Sequence, residues 1–386
     1  MFNQNGRAKK PVLAAMGILL SMLAFSTHAY SDDITNPNAD AGLPKHAPRA
    51  DGHGPIGVMG EHRHNSGELM FSYRFMRMGM EGNLIGDNSV SPETIVTTVP
   101  NRFSNNPGQP PTLRVVPTKM NMDMHMFGAM YGISDAVTLM AMVPYLKKDM
   151  DHVTFAGGAG TTRLGTFTTK SEGVGDVSLS SMIGLYDNKT DAGDTHINFM
   201  MGVSAPTGSI TKSDDILTPT NSTPTLRLPY AMQLGSGTWD FMPGIVATKR
   251  RGDWSLGGQY RGWVRMEDKN DQGYSLGDIH QVTAWVQRQW APWISTSVRL
   301  TGRTQDSIKG IDAKILAPVQ TADPDNYGGE RVDLSFGMNL IGQRGAVCGH
   351  RLAAEVGVPV YQHLNGPQME NDWTFTLGWQ KSIGDC

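Results

Sequence analysis

The sequence predicts an all-β fold: a transmembrane, antiparallel, up-and-down β-barrel of about 12 strands, with long outer loops and short periplasmic turns. Three observations predict it. Glycine accounts for 45 of the 386 residues and charged residues for only 18%, a composition that suits strands and turns better than long helices. Segments of about a dozen residues alternate between polar and apolar side chains, which is the period of a strand. Long and short connections alternate between these segments, as they do in outer-membrane barrels.

The chain opens with the pattern of a cleaved secretory signal at 1–29. Arg7, Lys9 and Lys10 precede an apolar run from Pro11 to Phe25, and small residues follow near Ala29. The run is shorter than the roughly 20 residues that span a bilayer. Residues 30–65 are rich in His, Pro, Gly and Asp and predict an irregular periplasmic segment, which leaves 66–386 for the barrel. We therefore expect export to the cell outer membrane.

Twelve segments carry the strand pattern, an even number, as single-chain bacterial barrels require. They lie near 67–79, 119–131, 137–148, 175–186, 195–205, 238–248, 253–266, 279–290, 293–303, 331–341, 351–361 and 372–381. The connections 80–118, 149–174, 206–237 and 304–330 are long, and two further loops hold Asp268 to Gly273 and 362–371. The connections that alternate with these loops are short turns. This alternation places both termini on the periplasmic side.

The alternation also predicts which face of each strand meets lipid. In 331–341 one row is apolar from Val332 to Leu340, and the other holds Asp333, Ser335 and Asn339. A charge facing lipid at mid-membrane costs about 2–4 kcal/mol for Arg or Lys, so the polar row is expected to face the lumen. Tryptophans near the strand ends indicate the membrane interfaces. They are Trp254, Trp290, Trp293, Trp373 and Trp379.

The predicted inward positions carry charges of both signs. They are Arg74, Asp123, His125, Asp176, His196, Asp240, Arg261, Arg265, Arg299, Arg303, Asp333 and Glu355. One interpretation is a set of ion pairs that fills a narrow lumen. The other is a permeation path whose charges set selectivity. The two interpretations are compatible.

Methionine is abundant, at 24 residues, and recurs at period two in 76–80, 120–126 and 140–142. Thioether and imidazole ligands suit copper, so Met59, His62 and His64 are candidate metal ligands. The alternative is that these rows are plain hydrophobic surface. Because Asn121, Asp123 and His125 are expected to face the lumen, Met120 to Met126 are expected to face lipid.

No motif indicates an enzyme or a resident cofactor: the chain has no glycine-rich phosphate loop, no GxSxG elbow and no HExxH. Lys and Arg number 33 against 36 Asp and Glu, whereas a nucleic-acid surface needs a basic balance. The expected partners are outer-membrane lipid, a small-molecule solute and the barrel-assembly machinery. Cys348 and Cys386 both fall at the predicted periplasmic rim, in an oxidising compartment, and are expected to form a disulfide.

Several stretches resemble the bacterial outer-membrane barrels named for the meta-pathway of phenol degradation, which are described as transporters. The similar stretches lie at 57–80, 120–152, 171–186, 228–241, 328–340 and 372–380. The resemblance covers roughly 55–381. It implies a barrel that passes small, aromatic or hydrophobic compounds across the outer membrane, and it carries no functional residues to transfer.

Three hypotheses follow. The first is a channel or transporter for small molecules with a charged lumen. The second is a structural or binding barrel whose lumen is filled and which transports nothing. The third is a metal transporter that uses methionine and histidine for copper. Conductance separates the first two, because only an open lumen carries current.

Overall fold

The structure is a computed structural model and describes residues 49–190 and 193–383. The predicted signal peptide, the first part of the predicted periplasmic segment and Cys386 lie outside the described residues. Within the described ranges, no helix has both the length and the apolarity that a bilayer span requires.

Eleven strands pair in a closed ring in which every neighbouring pair is antiparallel, and the pairing of β12 with β14 closes it. In chain order the ring contains β1 (Leu69–Gly86), β3 (Val115–Ser134), β4 (Val137–Phe155), β6 (Val177–Thr190), β7 (Gly193–Ala205), β11 (Gly244–Arg251), β12 (Trp254–Arg265), β14 (Ile279–Ala291), β15 (Ile294–Gln305), β17 (Gly329–Ile341) and β18 (His350–Ile383). The fold is therefore the closed all-β barrel that the sequence predicts.

The last strand, β18, has 34 residues and takes part in the ring twice. Its first part, 351–364, runs antiparallel to β17, and its second part, 364–383, runs antiparallel to β1. The chain therefore reverses its direction within β18, near Gly366, whose φ of +67° is a conformation that glycine adopts without steric cost.

Shorter elements decorate the ring. They are β2 (Asn88–Ser89), β5 (Arg163–Val174) and β10 (Asp240–Phe241), which join the main sheet; the ribbons β8 (Ser213–Asp215) with β9 (Thr225–Arg227) and β13 (Tyr274–Ser275) with β16 (Lys309–Gly310); the helix α1 (Pro92–Thr98); and four 3₁₀ turns, Tyr230–Met232, Gln320–Ala322, Pro324–Asn326 and Gly345–Val347. The Ser91 side chain caps α1 by accepting from Thr94 N at 3.2 Å. The sequence had placed 163–174 in a loop, and this prediction was wrong, because β5 pairs with the extended end of β4.

The two ends of the barrel differ. At the short-turn end, neighbouring strands are joined by connections such as 135–136, 252–253 and 292–293. At the long-loop end, 87–114, 206–243, 266–278 and 306–328 connect the strands. The alternating lengths that the sequence shows therefore separate into the two ends of one barrel.

The outward face is apolar and the inward face is mostly polar. On β17, Phe336 and Met338 are exposed outward, whereas Ser335 and Asn339 are each only 2% exposed. On β18, Leu377 and Trp379 are exposed and Thr376 and Gln380 are buried. This is the reverse of a soluble barrel, whose core is apolar.

The apolar outward band ends at a row of charges on the β1–β5 side. Arg77 lies 3.4 Å from Asp123, and Lys147 lies 3.7 Å from Glu172, on neighbouring strands of the same face. From Ile133 to His125 on β3 the apolar part of this face spans about 26 Å, close to the roughly 25 Å apolar band of outer-membrane barrels. Strands β1, β3 and β4 therefore continue past the apolar band at the long-loop end.

Candidate functional site

Residues 49–65, which we call the plug, cross the inside of the barrel without regular secondary structure. Ala50 N donates to Pro292 O at 3.0 Å, and Ala50 O accepts from Ser295 Oγ at 2.9 Å, so the plug enters at the short-turn end. Side chains from strands all round the ring lie against it; they include Thr138, Met200, Gln259, Gln287, Asn339 and Arg351. The sequence predicted an irregular periplasmic segment here. The described part is irregular, but it lies in the lumen.

Two buried arginines hold the plug by its backbone. Arg74 Nη1 donates to Ile56 O at 2.8 Å and to Val58 O at 3.2 Å. Arg351 Nη2 donates to Gly54 O at 2.5 Å. An irregular segment leaves its carbonyl oxygens without partners in a ladder, and donors that carry a charge form strong hydrogen bonds to them. Arg74 was predicted as a lumen residue; its role in the structure is to bind the plug.

An ion pair lies beneath the middle of the plug. Arg299 Nε and Nη2 donate to the two carboxylate oxygens of Glu355 at 3.0 and 2.5 Å, and Arg299 Nη1 donates to Thr301 Oγ1 at 2.5 Å. A β-carbon added at Gly57 would collide with both the guanidinium and the carboxylate. Glycine at this position therefore allows the plug backbone to lie directly on the pair.

A second set of polar contacts holds the end of the plug that precedes β1, also at the short-turn end. Arg63 forms an ion pair with Asp187 and donates to Asp135 O at 2.6 Å. His64 is 2% exposed, and its Nδ1 lies 2.6 Å from Glu68 Oε1. These contacts fix both ends of the plug at the same rim of the barrel.

Three side chains of the plug converge between these two anchor regions. His53, Glu61 and His62 present ligand atoms that all lie within 4.8 Å of one another. His62 Nδ1 lies 3.1 Å from Glu61 Oε1, and His53 Nδ1 lies 3.9 Å from the same oxygen. The two imidazole rings meet edge to face, with centroids 4.4 Å apart. We call these three residues the plug triad.

The protonation of the triad follows from its burial. Burial lowers the pKa of His53 well below its usual range, and His62 and Arg351 act in the same direction. Burial alone would raise the pKa of Glu61, but its charge interaction and hydrogen bond with His62, and the charge of Arg351, lower it well below the usual range. His53 is therefore neutral and Glu61 ionised at neutral pH.

Two residues of the triad, Glu61 and His62, lie between two cavities. A charged cavity of about 430 Å³ at the short-turn end is lined by Glu61, His62 and His64 of the plug and by wall residues such as Asp187 and His196. A narrow cavity on the other side is lined by Glu61 and His62 and by Met59, Met70, Met126, Met130, Met140 and Met142. Glu61 and His62 therefore face a polar mouth and a methionine-lined interior at once.

The methionine rows face inward, not outward. In the pairing of β1 with β3, Arg74 lies opposite Met126, Met76 opposite Met124 and Met78 opposite Met122. Because directly paired residues share a face of the sheet, these methionines line the lumen with Arg74. The expectation that Met120 to Met126 face lipid was wrong.

Asp123 and His125 consequently face outward, and their assignment to the lumen was also wrong. Asp123 pairs with Arg77 in the charged row that bounds the apolar band, and His125 Nδ1 lies 2.8 Å from the Tyr73 hydroxyl. An outward charge costs little once the strand has passed the membrane's apolar layer. The sequence reasoning placed Asp123 within that layer, because the predicted strand, 119–131, was shorter than β3.

The remaining predicted lumen residues fall into two groups. Asp240 forms a buried ion pair with Arg265 and accepts from Thr238 Oγ1 at 2.8 Å. Arg261 is buried, with its guanidinium 4.9 Å above the Trp263 ring. These side chains lie on strands at the wall, as do Arg299 and Glu355.

The second group lies at the ends of the barrel. Asp176 precedes β6 and accepts from Gly208 N and Ser236 N at 2.8 and 2.7 Å, so it holds a long loop. His196 Nδ1 lies 2.6 Å from Asp187 Oδ1 at the charged mouth. In two further contacts, Asp333 pairs with Arg331 at 3.0 Å and Arg303 donates to Gln305 at 2.8 Å. The structure therefore does not bring the predicted residues together in one site.

The long loops cover the other end of the barrel. Lys148 of β4 donates to Ala231 O and Gln233 O at 2.8 and 2.5 Å, and Met232 packs against Met120 and Met150 of the wall. Above this contact lies a cavity of about 650 Å³ whose lining is largely apolar; it includes Pro110, Val115, Phe167, Ile216, Leu226 and Ile315. The lumen is thus covered by loops at one end and crossed by the plug at the other.

Sequence reasoning missed two members of the triad, His53 and Glu61. His62 was a candidate ligand, and its neighbour Glu61 was a visible signal. What brings His53 to them is the path of the plug, which returns on itself within eight residues inside the barrel, and no local pattern encodes that path. The third metal candidate, His64, is engaged by Glu68.

The described residues include one of the two cysteines of the predicted disulfide, Cys348. Cys348 is disulfide-bonded and follows the 3₁₀ turn between β17 and β18. Cys386 lies outside the described residues, so the pairing of these two cysteines stays a prediction.

No protein-family model matches this chain, and no curated protein matches it. Solved structures do. The COG4313 outer membrane channel from Pseudomonas putida F1 is 14% identical, with 84% of this chain and 99% of that chain covered and a TM-score of 0.53. This similarity establishes a shared barrel fold. The resemblance to the phenol meta-pathway family has no matching family model and stays a prediction.

Two further structures are more distant. The beta domain of the Bordetella autotransporter BrkA is 11% identical over 82% of this chain and 100% of that chain, with a TM-score of 0.39. The Pseudomonas putida toluene transporter TodX is 7% identical over 82% of this chain and 90% of that chain, with a TM-score of 0.38. At these scores, neither adds to the assignment of the fold.

Proposed function

We propose that this protein is an outer-membrane channel for small solutes, including aromatic and hydrophobic molecules, and that the plug closes its periplasmic end. The single observation that carries the proposal is the combination of an apolar outward face with a lumen crossed by a separate, polar-anchored segment. The fold shared with a solved outer membrane channel supports it.

The orientation and the number of spans follow from this proposal. The short-turn end would face the periplasm and the long-loop end the exterior, as in other barrels of the outer membrane. Strand β18 is far too long for one crossing, since a span takes about 9–11 residues. Counting its two antiparallel halves separately gives twelve spans, with both ends of the barrel segment on the periplasmic side.

The proposed solute class rests on the linings of the two inner spaces. The cavity that the long loops line is apolar with a few polar groups, the usual character of a site for a small ligand. Methionines line the lumen along β1, β3 and β4. Their side chains are flexible and make favourable sulfur–aromatic contacts. A hydrophobic solute that entered from the exterior would therefore pass along the β1–β3–β4 wall until it met the plug.

Conductance in planar bilayers tests the closure. The full mature chain should conduct weakly, and a variant that lacks 49–60 should conduct several-fold more, because Arg74, Arg351 and the Arg299–Glu355 pair would then be hydrated. Gly158→Ala, at an open position in a long loop, provides the control and should conduct like the parent. Migration of unheated samples in gels would show that each variant is a folded barrel.

The alternative, a barrel that transports nothing, has one observation in its favour: the polar contacts of the plug surround it on every side. A folded variant without 49–60 that conducts no better than the parent would support this alternative and contradict the channel. Influx of a monoaromatic solute into vesicles would then test the solute class separately.

A further inference from the structure

The methionines of the lumen form an ordered array. Across β1, β3 and β4 they lie in register, with Met70 beside Met130 and Met140, Met76 beside Met124, Met78 beside Met122, and Met80 beside Met120 and Met150. The rows from Met76 to Met80 are about 6.6 Å apart along the strands, and the row of Met70 lies about 20 Å from that of Met76. We call this array the methionine wall.

The middle rows of the wall are only partly buried. Met76, Met78, Met122 and Met124 are half-buried and lie on the inward faces of β1 and β3. At its lower end the wall meets the plug triad, because Met126, Met130, Met140 and Met142 line the same narrow cavity as Glu61 and His62. The methionine wall therefore adjoins the plug triad at this cavity.

The triad has unused donor atoms. His53 Nδ1 and His62 Nε2 are buried and make no hydrogen bond to the described part of the chain. An unpaired buried nitrogen costs free energy, and a metal ion would remove that cost. One carboxylate and two imidazoles therefore present ligand atoms that lie within 4.8 Å of one another.

We propose that the plug triad and the adjoining methionine wall bind a soft monovalent metal ion, of the class of Cu(I) and Ag(I). This proposal goes beyond the proposed channel and does not depend on solute passing through it. His53 and His62 would supply nitrogen ligands, Glu61 a compensating negative charge, and the methionines of the narrow cavity the thioether ligands that complete the site.

The mixture of ligands selects the class of ion. Imidazole alone suits zinc, nickel and copper in either oxidation state, but thioether ligands select Cu(I) among the biological metals. The charge of the site points the same way. Arg351 Nη1 lies 3.9 Å from Glu61 Oε1, and this neighbouring positive charge opposes a divalent ion more strongly than a monovalent one.

Hydrophobic lining is the competing explanation of the wall, and a leucine substitution separates the two. Leucine preserves the apolar character and approximate volume of methionine, at a cost usually below about 1.5 kcal/mol, but has no sulfur. If the wall serves only as apolar surface, Met→Leu changes leave metal binding unchanged.

The test measures Ag(I), which needs no reductant, bound to the purified, folded mature chain. The protein is treated with iodoacetamide to block free thiols, equilibrated with silver nitrate in chloride-free buffer, desalted and analysed by mass spectrometry for silver per chain. The parent should retain at least one equivalent. The double variant His53→Ala/His62→Ala should lose this equivalent on desalting, since even the loss of outer partners of a ligand costs 10–100-fold in affinity.

Matched controls distinguish the site from generic binding. His350→Ala/His363→Ala removes two histidines that are not part of the triad and should bind silver like the parent. Met126→Leu/Met142→Leu removes thioethers of the narrow cavity and should weaken binding, whereas Met201→Leu/Met338→Leu, on the outward face, should not. Unheated gel migration shows that each variant is folded.

Two results would overturn the proposal. One is equal silver retention by the parent and by both the histidine and the inward methionine variants. The other is tighter binding of Zn(II) than of Ag(I) at the triad, which would show that thioether ligands do not select the ion. Neither result bears on the channel, since conductance is not part of the measurement, and a non-conducting barrel can still bind silver.

Discussion

Gly57 of the plug lies against the carboxylate of Glu355 at a distance that leaves no room for a β-carbon. The same carboxylate is held by Arg299 on the neighbouring side. The Arg299–Glu355 pair of the wall therefore supports the plug at Gly57. The plug in turn covers the pair and excludes water from it.

Replacing Gly57 by alanine should displace the plug. The added methyl group would collide with both members of the pair, and overpacking of this kind typically costs about 1–3 kcal/mol. We expect a several-fold rise in single-channel conductance. Gly302→Ala, on the wall strand β15, is the control, since a β-carbon there meets nothing within 4 Å. Unchanged conductance in folded Gly57→Ala would show that the plug does not close the lumen.

Breaking the Arg299–Glu355 pair should destabilise the barrel strongly. Removing one partner of a buried pair leaves an uncompensated charge and costs about 3–5 kcal/mol, so Arg299→Ala should unfold at clearly lower urea concentration, as followed by tryptophan fluorescence. Lys119→Ala breaks the exposed pair with Glu81 and should cost no more than about 1 kcal/mol. Equal effects in the two variants would mean that the Arg299–Glu355 pair is hydrated.

Spin labels on the two faces of β3 should report opposite environments. A label at Met124→Cys should contact water-soluble relaxation agents in the lumen, whereas a label at Phe127→Cys should contact dissolved oxygen in the lipid. A label at Asp123→Cys should sense the membrane boundary, because Asp123 lies in the charged row above the apolar band. The opposite pattern at 124 and 127 would show that Met124 faces lipid, as the sequence pattern predicts.

Acidification should loosen the plug in two stages. The pKa of His53 is lowered in the folded state. Below pH ~6.5 the unfolded chain therefore binds a proton at His53 that the folded protein does not bind, and the free energy of unfolding falls as the pH drops. The pKa of Glu61 is also lowered, so its contribution is present above pH ~4.5 and is lost at more acid pH. Urea midpoints between about pH 7.5 and 3 would show the first stage and the onset of the second, and His53→Gln should remove the first.

The predicted disulfide can be counted directly. Unreduced, denatured protein should contain no reactive thiol, because Cys348 is bonded and the chain has only one other cysteine, Cys386. Ser382 N donates to Gly349 O at 3.0 Å, which brings the end of β18 beside Cys348. Two reactive thiols per chain would refute the bond.

The face of a strand could be read from the sequence wherever its two rows differ in chemistry. On β17, Asp333, Ser335 and Asn339 alternate with Leu334, Phe336 and Met338, and only one orientation keeps the polar row out of lipid. On β3, one row is methionine and the other mixes Asp123 and His125 with Phe127 and Tyr131. Here both orientations bury some apolar surface, and the pattern alone favoured the wrong one.

Tertiary structure decided what the alternation left open. Arg77 and Tyr73 on β1 supply outward partners for Asp123 and His125, and the length of β3 places Asp123 beyond the apolar band. The plug is a similar case. Its composition predicts irregular chain, but its place in the lumen depends on Arg74, Arg299 and Arg351, which lie on β1, β15 and β18. A period of two is a local property of the chain, and it determines a barrel; which residues meet inside that barrel depends on register between strands far apart in sequence.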